Sequence, residues 1–166
     1  FKQKTAYEML RSLVGSEMCI RDRYDDAINR GIDETCSTYL SQIEKSYKLQ
    51  GLNLTFAHPK EPSLFPSLHI SSQQYNNGAS IFSATLIPDG NYCYLSTVNV
   101  TSVNNQSCAE ITQIKTNKDP ELIISNYADG AFSIISSKNN DYQLVLTKTG
   151  DIACTITETR MLWPGS

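Results

Sequence analysis

Thr35-Cys36-Ser37-Thr38-Tyr39-Leu40-Ser41-Gln42-Ile43 predicts a helix with a cysteine near its start, because its apolar residues recur at three- and four-residue steps. The layout returns at Ser107-Cys108-Ala109-Glu110-Ile111-Thr112-Gln113-Ile114. Each stretch is followed by strands and a glycine turn, and then by another cysteine, Cys93 in the first copy and Cys154 in the second. The chain therefore resembles two tandem units, at 24–103 and 104–166.

The repeat also predicts how four cysteines pair. Equivalent bridges would be Cys36–Cys93 and Cys108–Cys154, each fastening a helix to its own strands. Four cysteines allow three connectivities, so Cys36–Cys154 with Cys93–Cys108, the third pairing and free thiols stay open. Disulfides persist in oxidising compartments, whereas four buried thiols would suit a cytoplasmic core. An even number of cysteines on opposing elements favours bridges, and hence a periplasmic or secreted protein.

The beginning of the chain is set apart from the rest. Residues 12–23, SLVGSEMCIRDR, resemble a translated sequencing adapter of the kind that recurs in gene models from assembled environmental reads. We interpret 1–23 as a non-native segment and 24–166 as a single domain. Cys19 then leaves the cysteine count, and a signal peptide cannot be read from this region. The alternative is an ordinary amphipathic N-terminal helix.

The remaining periodicity indicates an α+β fold. A continuous helix is predicted over 25–50, followed by an extended connection over 52–66 that holds Pro59, Pro62 and Pro66. A three-stranded meander follows, with turns at 76–78 and 88–91. A second helix is predicted at about 107–117, then strands at about 121–126, 131–137, 141–148 and 151–162. The result is an antiparallel sheet of about seven strands with two helices on one face.

The face opposite the helices can be read by alternation. If Cys93 and Cys154 point toward the helices, the first half of the opposite face carries an apolar, tyrosine-bearing set: His69, Ile81, Tyr92, Tyr94 and Val98. The corresponding positions of the second half are mostly threonine. An uncovered patch of this kind suggests a surface for a protein partner. The alternative is that the connection over 52–66 folds across it.

Little in the sequence points to catalysis. The two histidines, His58 and His69, lack metal-ligand spacing, and no Gly-rich phosphate loop occurs, so we expect no metal or cofactor. A net charge of −3 with scattered basic residues disfavours nucleic acid, and no apolar run reaches the ~20 residues of a membrane span. We predict an exported, non-enzymatic binding module of undetermined ligand and oligomeric state. The alternative is a hydrolase centred on His69.

Overall fold

A computed structural model of the protein describes residues 23–47, 49, 53–138 and 142–162. Over these residues the chain forms three helices and eight strands, which confirms the α+β class. The helices are α1 (Arg23–Asn29), α2 (Glu34–Tyr47) and α3 (Cys108–Lys118). The strands are β1 (Asn53–Phe56), β2 (Ser67–Tyr75), β3 (Gly78–Asp89), β4 (Tyr92–Asn104), β5 (Ile123–Tyr127), β6 (Phe132–Ser136), β7 (Tyr142–Gly150) and β8 (Ala153–Leu162).

All eight strands belong to one antiparallel sheet, in the order β1-β2-β3-β4-β8-β7-β6-β5. Two four-stranded meanders therefore meet at the centre, where β4 pairs with β8. The strand that the sequence did not predict is β1, which lies inside the supposed connection and pairs with β2. Eight strands, rather than about seven, form the sheet. The tandem duplication itself stays a prediction.

The single helix predicted over 25–50 is wrong, because the chain breaks between α1 and α2. Gly31 has a φ of +77°, a left-handed conformation that glycine adopts without steric cost. Asp33 then caps α2, since its carboxylate accepts a hydrogen bond from the Cys36 amide at 3.1 Å. A glycine that ends one helix and an aspartate that starts the next are ordinary boundary signals, which the long apolar stripe concealed.

Arg23, the last residue of the segment predicted to be foreign, joins α1 to α2. Its guanidinium is buried and lies 3.1 Å from a carboxylate oxygen of Glu44. It also donates a hydrogen bond to the Leu49 carbonyl at 3.2 Å, whereas its Nε has no partner. A buried guanidinium with an unmatched donor is accommodated at a cost. The boundary at 23/24 stays a prediction.

Two disulfides fasten the helices to the sheet, with the pairing that the repeat predicts. Cys36 of α2 is bonded to Cys93 of β4, and Cys108 of α3 is bonded to Cys154 of β8. Each strand cysteine lies just after the start of its strand, and these two strands are the central pair of the sheet. Both bridges therefore hold helices against the same face.

Two separate hydrophobic cores lie under the helices. The larger one packs Leu40 and Ile43 of α2 against Phe82 and Leu86 of β3. The smaller one lies under α3 and is built on five buried residues: Ile111, Ile135, Leu144, Leu146 and Cys154. Thr97 of β4 and its partner Arg160 of β8 lie at the central pair of strands and belong to neither core.

The two helices are anchored unequally. α2 buries Leu40 and Ile43 besides its cysteine, whereas Ile111 is the residue that α3 buries. We predict that replacing either cysteine pair by alanine lowers the free energy of unfolding by about 2–4 kcal/mol. Only the loss of Cys108–Cys154 is expected to abolish amide-exchange protection in α3, because little else holds that helix.

Hydrogen exchange followed by mass spectrometry compares the wild type with the Cys36→Ala/Cys93→Ala and Cys108→Ala/Cys154→Ala variants. The first double variant is the matched control, since α2 should keep its protection through packing. Full protection of α3 without its bridge would contradict the prediction.

Candidate functional site

Cross-strand pairing shows which residues share each face of the sheet, since directly opposed residues point to the same side. Cys93 and Cys154 point toward the helices to which they are bonded. The residues that alternate with them point away, and we call this surface the outer face. It consists of Leu54, Phe56, Leu68, Ile70, Ser72, Gln74, Ala79, Ile81, Ser83, Thr85, Ile87, Asp89, Tyr92, Tyr94, Ser96, Val98, Val100, Ser102, Asn104, Ile123, Ser125, Tyr127, Phe132, Ile134, Ser136, Gln143, Val145, Thr147, Ala153, Thr155, Thr157, Thr159 and Met161.

The outer face is almost free of charge. Among the paired residues that form it, Asp89 is the only one with a charged side chain. It lies at the end of β3, away from the middle of the sheet. The other positions are apolar, aromatic, hydroxyl-bearing or amide side chains. A soluble surface normally mixes charges of both signs, so this composition sets the outer face apart.

None of the described residues covers the outer face. Ile81 is 55% exposed and Tyr92 is 57% exposed, although both belong to long, fully paired strands. The middle of the face consists of β-branched residues, because Val98 opposes Thr159 and Val100 opposes Thr157 across the central strands. Larger exposed rings lie toward the margins, on Phe56, Tyr92, Tyr127 and Phe132. The predicted positions Ile81, Tyr92, Tyr94 and Val98 all lie on this face.

The proline-rich connection after β1 packs on the helix side instead. The Cγ of Pro62 lies 3.0 Å from the position that a Cβ on Gly31 would take, at the turn between α1 and α2. The rings of His58 and Phe65 pack on each other with centroids 4.4 Å apart. The suggestion that this connection folds across the outer face is therefore wrong.

The one charge of the outer face is paired with a tyrosine. Tyr94 donates a hydrogen bond from its hydroxyl to Asp89, and this bond, with the negative charge of Asp89, raises the pKa of Tyr94. Tyr92 lies directly opposite Asp89 on the neighbouring strand. The carboxylate is thus bordered by two rings at the margin of the face, where water still reaches it.

Sequence reasoning missed part of the outer face. Ile123 and Tyr127 of β5 and Phe132 of β6 are exposed there, and β1 adds Phe56. The alternation of the last two strands predicts a mostly threonine face in the second half, whereas β5 and β6 add apolar and aromatic residues to it. The alternation of Phe132, Ile134 and Ser136 carries the missing signal.

His69 does not lie on the outer face, contrary to the prediction. It opposes Ala84 on the helix-covered face and is 4% exposed. The neighbouring apolar residues Leu68 and Ile70 take the outer positions of this strand instead. The inward residues of β2 are Ser67, His69 and Ser71. Of these, His69 is linked through Thr55 to Asp26 of α1.

A chain of hydrogen bonds satisfies the buried His69 ring. Thr55 donates its hydroxyl to Asp26 at 3.4 Å, so it accepts from Nδ1 of His69 at 3.3 Å. Nε2 then accepts the hydroxyl proton of Ser67 at 3.0 Å. The order Ser67–His69–Thr55–Asp26 gives one neutral tautomer a partner at each nitrogen.

This geometry bears on the hydrolase hypothesis. Two hydroxyl groups lie within hydrogen-bond reach of the His69 ring, but the nearest carboxylate in that chain is one hydroxyl further away. Ser67 is only 3% exposed, so a substrate carbonyl has no approach to its oxygen in this arrangement. The hydrogen-bond network links β1, β2 and α1 to one another. Hydrolysis at His69 stays a prediction.

An open groove of about 820 Å³ lies on the helix-covered side, beside α3. Thr112, Gln113 and Thr116 form its helical wall, and Asn126 and Ser133 belong to its lining on the sheet. Two further lining residues, Lys148 and Asp151, form an ion pair at 3.4 Å. The lining mixes charges and hydroxyl groups without selecting a chemical class of ligand.

Comparison of the chain with protein families, curated proteins and solved structures found no match. In the described part of the chain, no group of three or more His, Cys, Asp or Glu side chains could hold a metal ion. None of the described helices is both long and apolar enough to cross a membrane.

The buried His69 gives a pH-dependent stability. Burial lowers its pKa to about 4 from an ordinary 6.5, more than Asp26 raises it. Between pH 6.5 and 4 the His69 side chain is therefore mostly protonated in the unfolded chain and mostly neutral in the folded protein. The contribution of neutral His69 to the free energy of unfolding is fully present above pH 6.5. It is lost as the pH falls to 4, which lowers the free energy of unfolding by on the order of 3 kcal/mol.

Urea unfolding at pH 7.5, 5.5 and 4.5 measures this effect in the wild type, His69→Gln and His58→Gln. The His69 variant should be less stable at pH 7.5 but should lose less stability on acidification. The His58 variant is the control and should follow the wild type. An identical pH slope in all three proteins would contradict the assignment.

Proposed function

We propose that the protein is an exported, non-enzymatic interaction module that binds a protein partner through the outer face. The observation that carries this proposal is an eight-stranded sheet with helices on one side only and a nearly uncharged other side. A sheet with an apolar face is normally stabilised by packing that face against another layer. The described part of the chain supplies no such layer.

The composition of the outer face supports a protein as the partner. Interfaces are distinguished by few charged residues at their centre and by an excess of aromatic residues and methionine. Here the centre is Val98, Val100, Thr157 and Thr159, and the margins carry aromatic rings and Met161. The backbone of a sheet with fully hydrogen-bonded strands also has little conformational entropy left to lose on binding.

The two disulfides favour an oxidising environment, which supports a location outside the cytoplasm. We therefore include in this proposal that the protein is periplasmic or secreted. Outside the cytoplasm the bridges would stay oxidised and would keep both helices on one side of the sheet. The outer face would then remain available even though the hydrophobic cores under the helices are small.

Charge placed on the outer face should abolish binding without unfolding the protein. The Ile81→Lys/Val98→Lys variant puts two ammonium groups where a partner would have to desolvate them. We predict at least a tenfold loss of captured partner when the immobilised variant is compared with the wild type in extracellular or envelope fractions. Unchanged circular dichroism and thermal unfolding would show that the fold is intact.

Ile114→Lys is the matched control, because Ile114 is an exposed isoleucine on α3, on the helix side of the sheet. This control should capture as much partner as the wild type does. Equal recovery by all three proteins would overturn the assignment of the outer face. Loss in the control alone would place binding on the helix side.

A further inference from the structure

We infer that the partner of the outer face is a second copy of this chain, packed face to face as a two-sheet sandwich. This inference rests on the proposed function, since it names the occupant of the same surface. Three properties of the face support it: its area, its nearly complete lack of charge, and the self-complementary chemistry of its hydroxyl groups.

The area suits a stable dimer. Eight strands at a spacing of about 4.8 Å span roughly 35 Å, and the nine residues of β2 extend roughly 30 Å. Packing one face on another would bury about 1,000 Å² per copy, against the roughly 800 Å² per partner of a standard stable interface. The two sheets would lie about 10 Å apart, as in aligned sandwiches.

The lack of charge favours a second copy over a partner recognised by charge. On the outer face, a basic or acidic partner could form a charge interaction only with Asp89. Asp89 lies at the margin and already accepts a hydrogen bond from Tyr94. Two copies of the face bring no like charges together at the centre. A two-fold axis through the middle of the sheet would leave both Asp89 carboxylates near water.

The central side chains can pair with copies of themselves. Thr157 and Thr159 lie beside Val98 and Val100 on the central strands. In a two-fold interface, a residue near the axis meets the same residue of the other copy. A hydroxyl group both donates and accepts hydrogen bonds, so threonine facing threonine is satisfied, while valine facing valine buries apolar surface. The outer face of one copy is therefore chemically complementary to the outer face of a second copy.

Sedimentation equilibrium tests the inference on the wild type, Val98→Lys and Ile114→Lys. The wild type and the Ile114 control should sediment at twice the mass of one chain. In the Val98 variant two lysines would meet near the axis, so the dimer dissociation constant should rise at least 100-fold. A wild type that is still monomeric at about 100 µM, which would mean a binding free energy weaker than about −5.5 kcal/mol, would overturn the inference. A Val98→Lys variant whose dimer dissociation constant equals that of the wild type would also overturn it.

Hydroxyl-radical footprinting of the wild type keeps the test independent of any variant. Oxidation of Met161 and Tyr92 on the outer face should fall as the protein concentration rises, while oxidation of Phe65 on the connection stays constant. Concentration-independent oxidation of all three would overturn the dimer.

The two proposals can fail separately. Suppose that the wild type is monomeric but captures a different protein, and that the Ile81→Lys/Val98→Lys variant fails to capture it. This result would refute the second copy and retain the interaction module. A monomer that captures nothing through this face would refute both.

Discussion

Two covalent bonds from the central strands of the sheet determine which side the helices occupy. Cys93 and Cys154 lie just after the starts of β4 and β8, and both point to the same face. Helices bonded to them must cover that face and leave the other one bare. The two separate cores, the exposed outer face and its proposed partner all follow from this constraint.

The cysteines and the alternation around them carried most of the correct predictions. Cys36 and Cys108 recur at equivalent places in two similar stretches, and that repetition selected one pairing among three. Turns at Gly78 and Gly90 then set the meander of the first half, because tight turns leave little freedom in strand pairing. The class of fold and the side taken by the helices were therefore available from sequence.

The errors share a physical origin, which is that apolar character alone does not place a residue. Leu68 looks like a core residue, but it lies on the outer face, while His69 is buried because hydroxyl groups satisfy both ring nitrogens. Gly31 ends a helix because its backbone is left-handed, which an apolar stripe running through it cannot reveal. The strand β1 was hidden because it is short and lies just before three prolines.

Stability and recognition depend on opposite faces of the sheet. Residues that hold the fold, such as Cys154, Leu146 and His69, face the helices, and residues available to a partner face away. A non-reducing peptide map of the purified protein tests the underlying constraint most directly. Peptides linked through Cys36–Cys93 and Cys108–Cys154 are the predicted result, and linkage of Cys36 to Cys154 with Cys93 to Cys108 would contradict it.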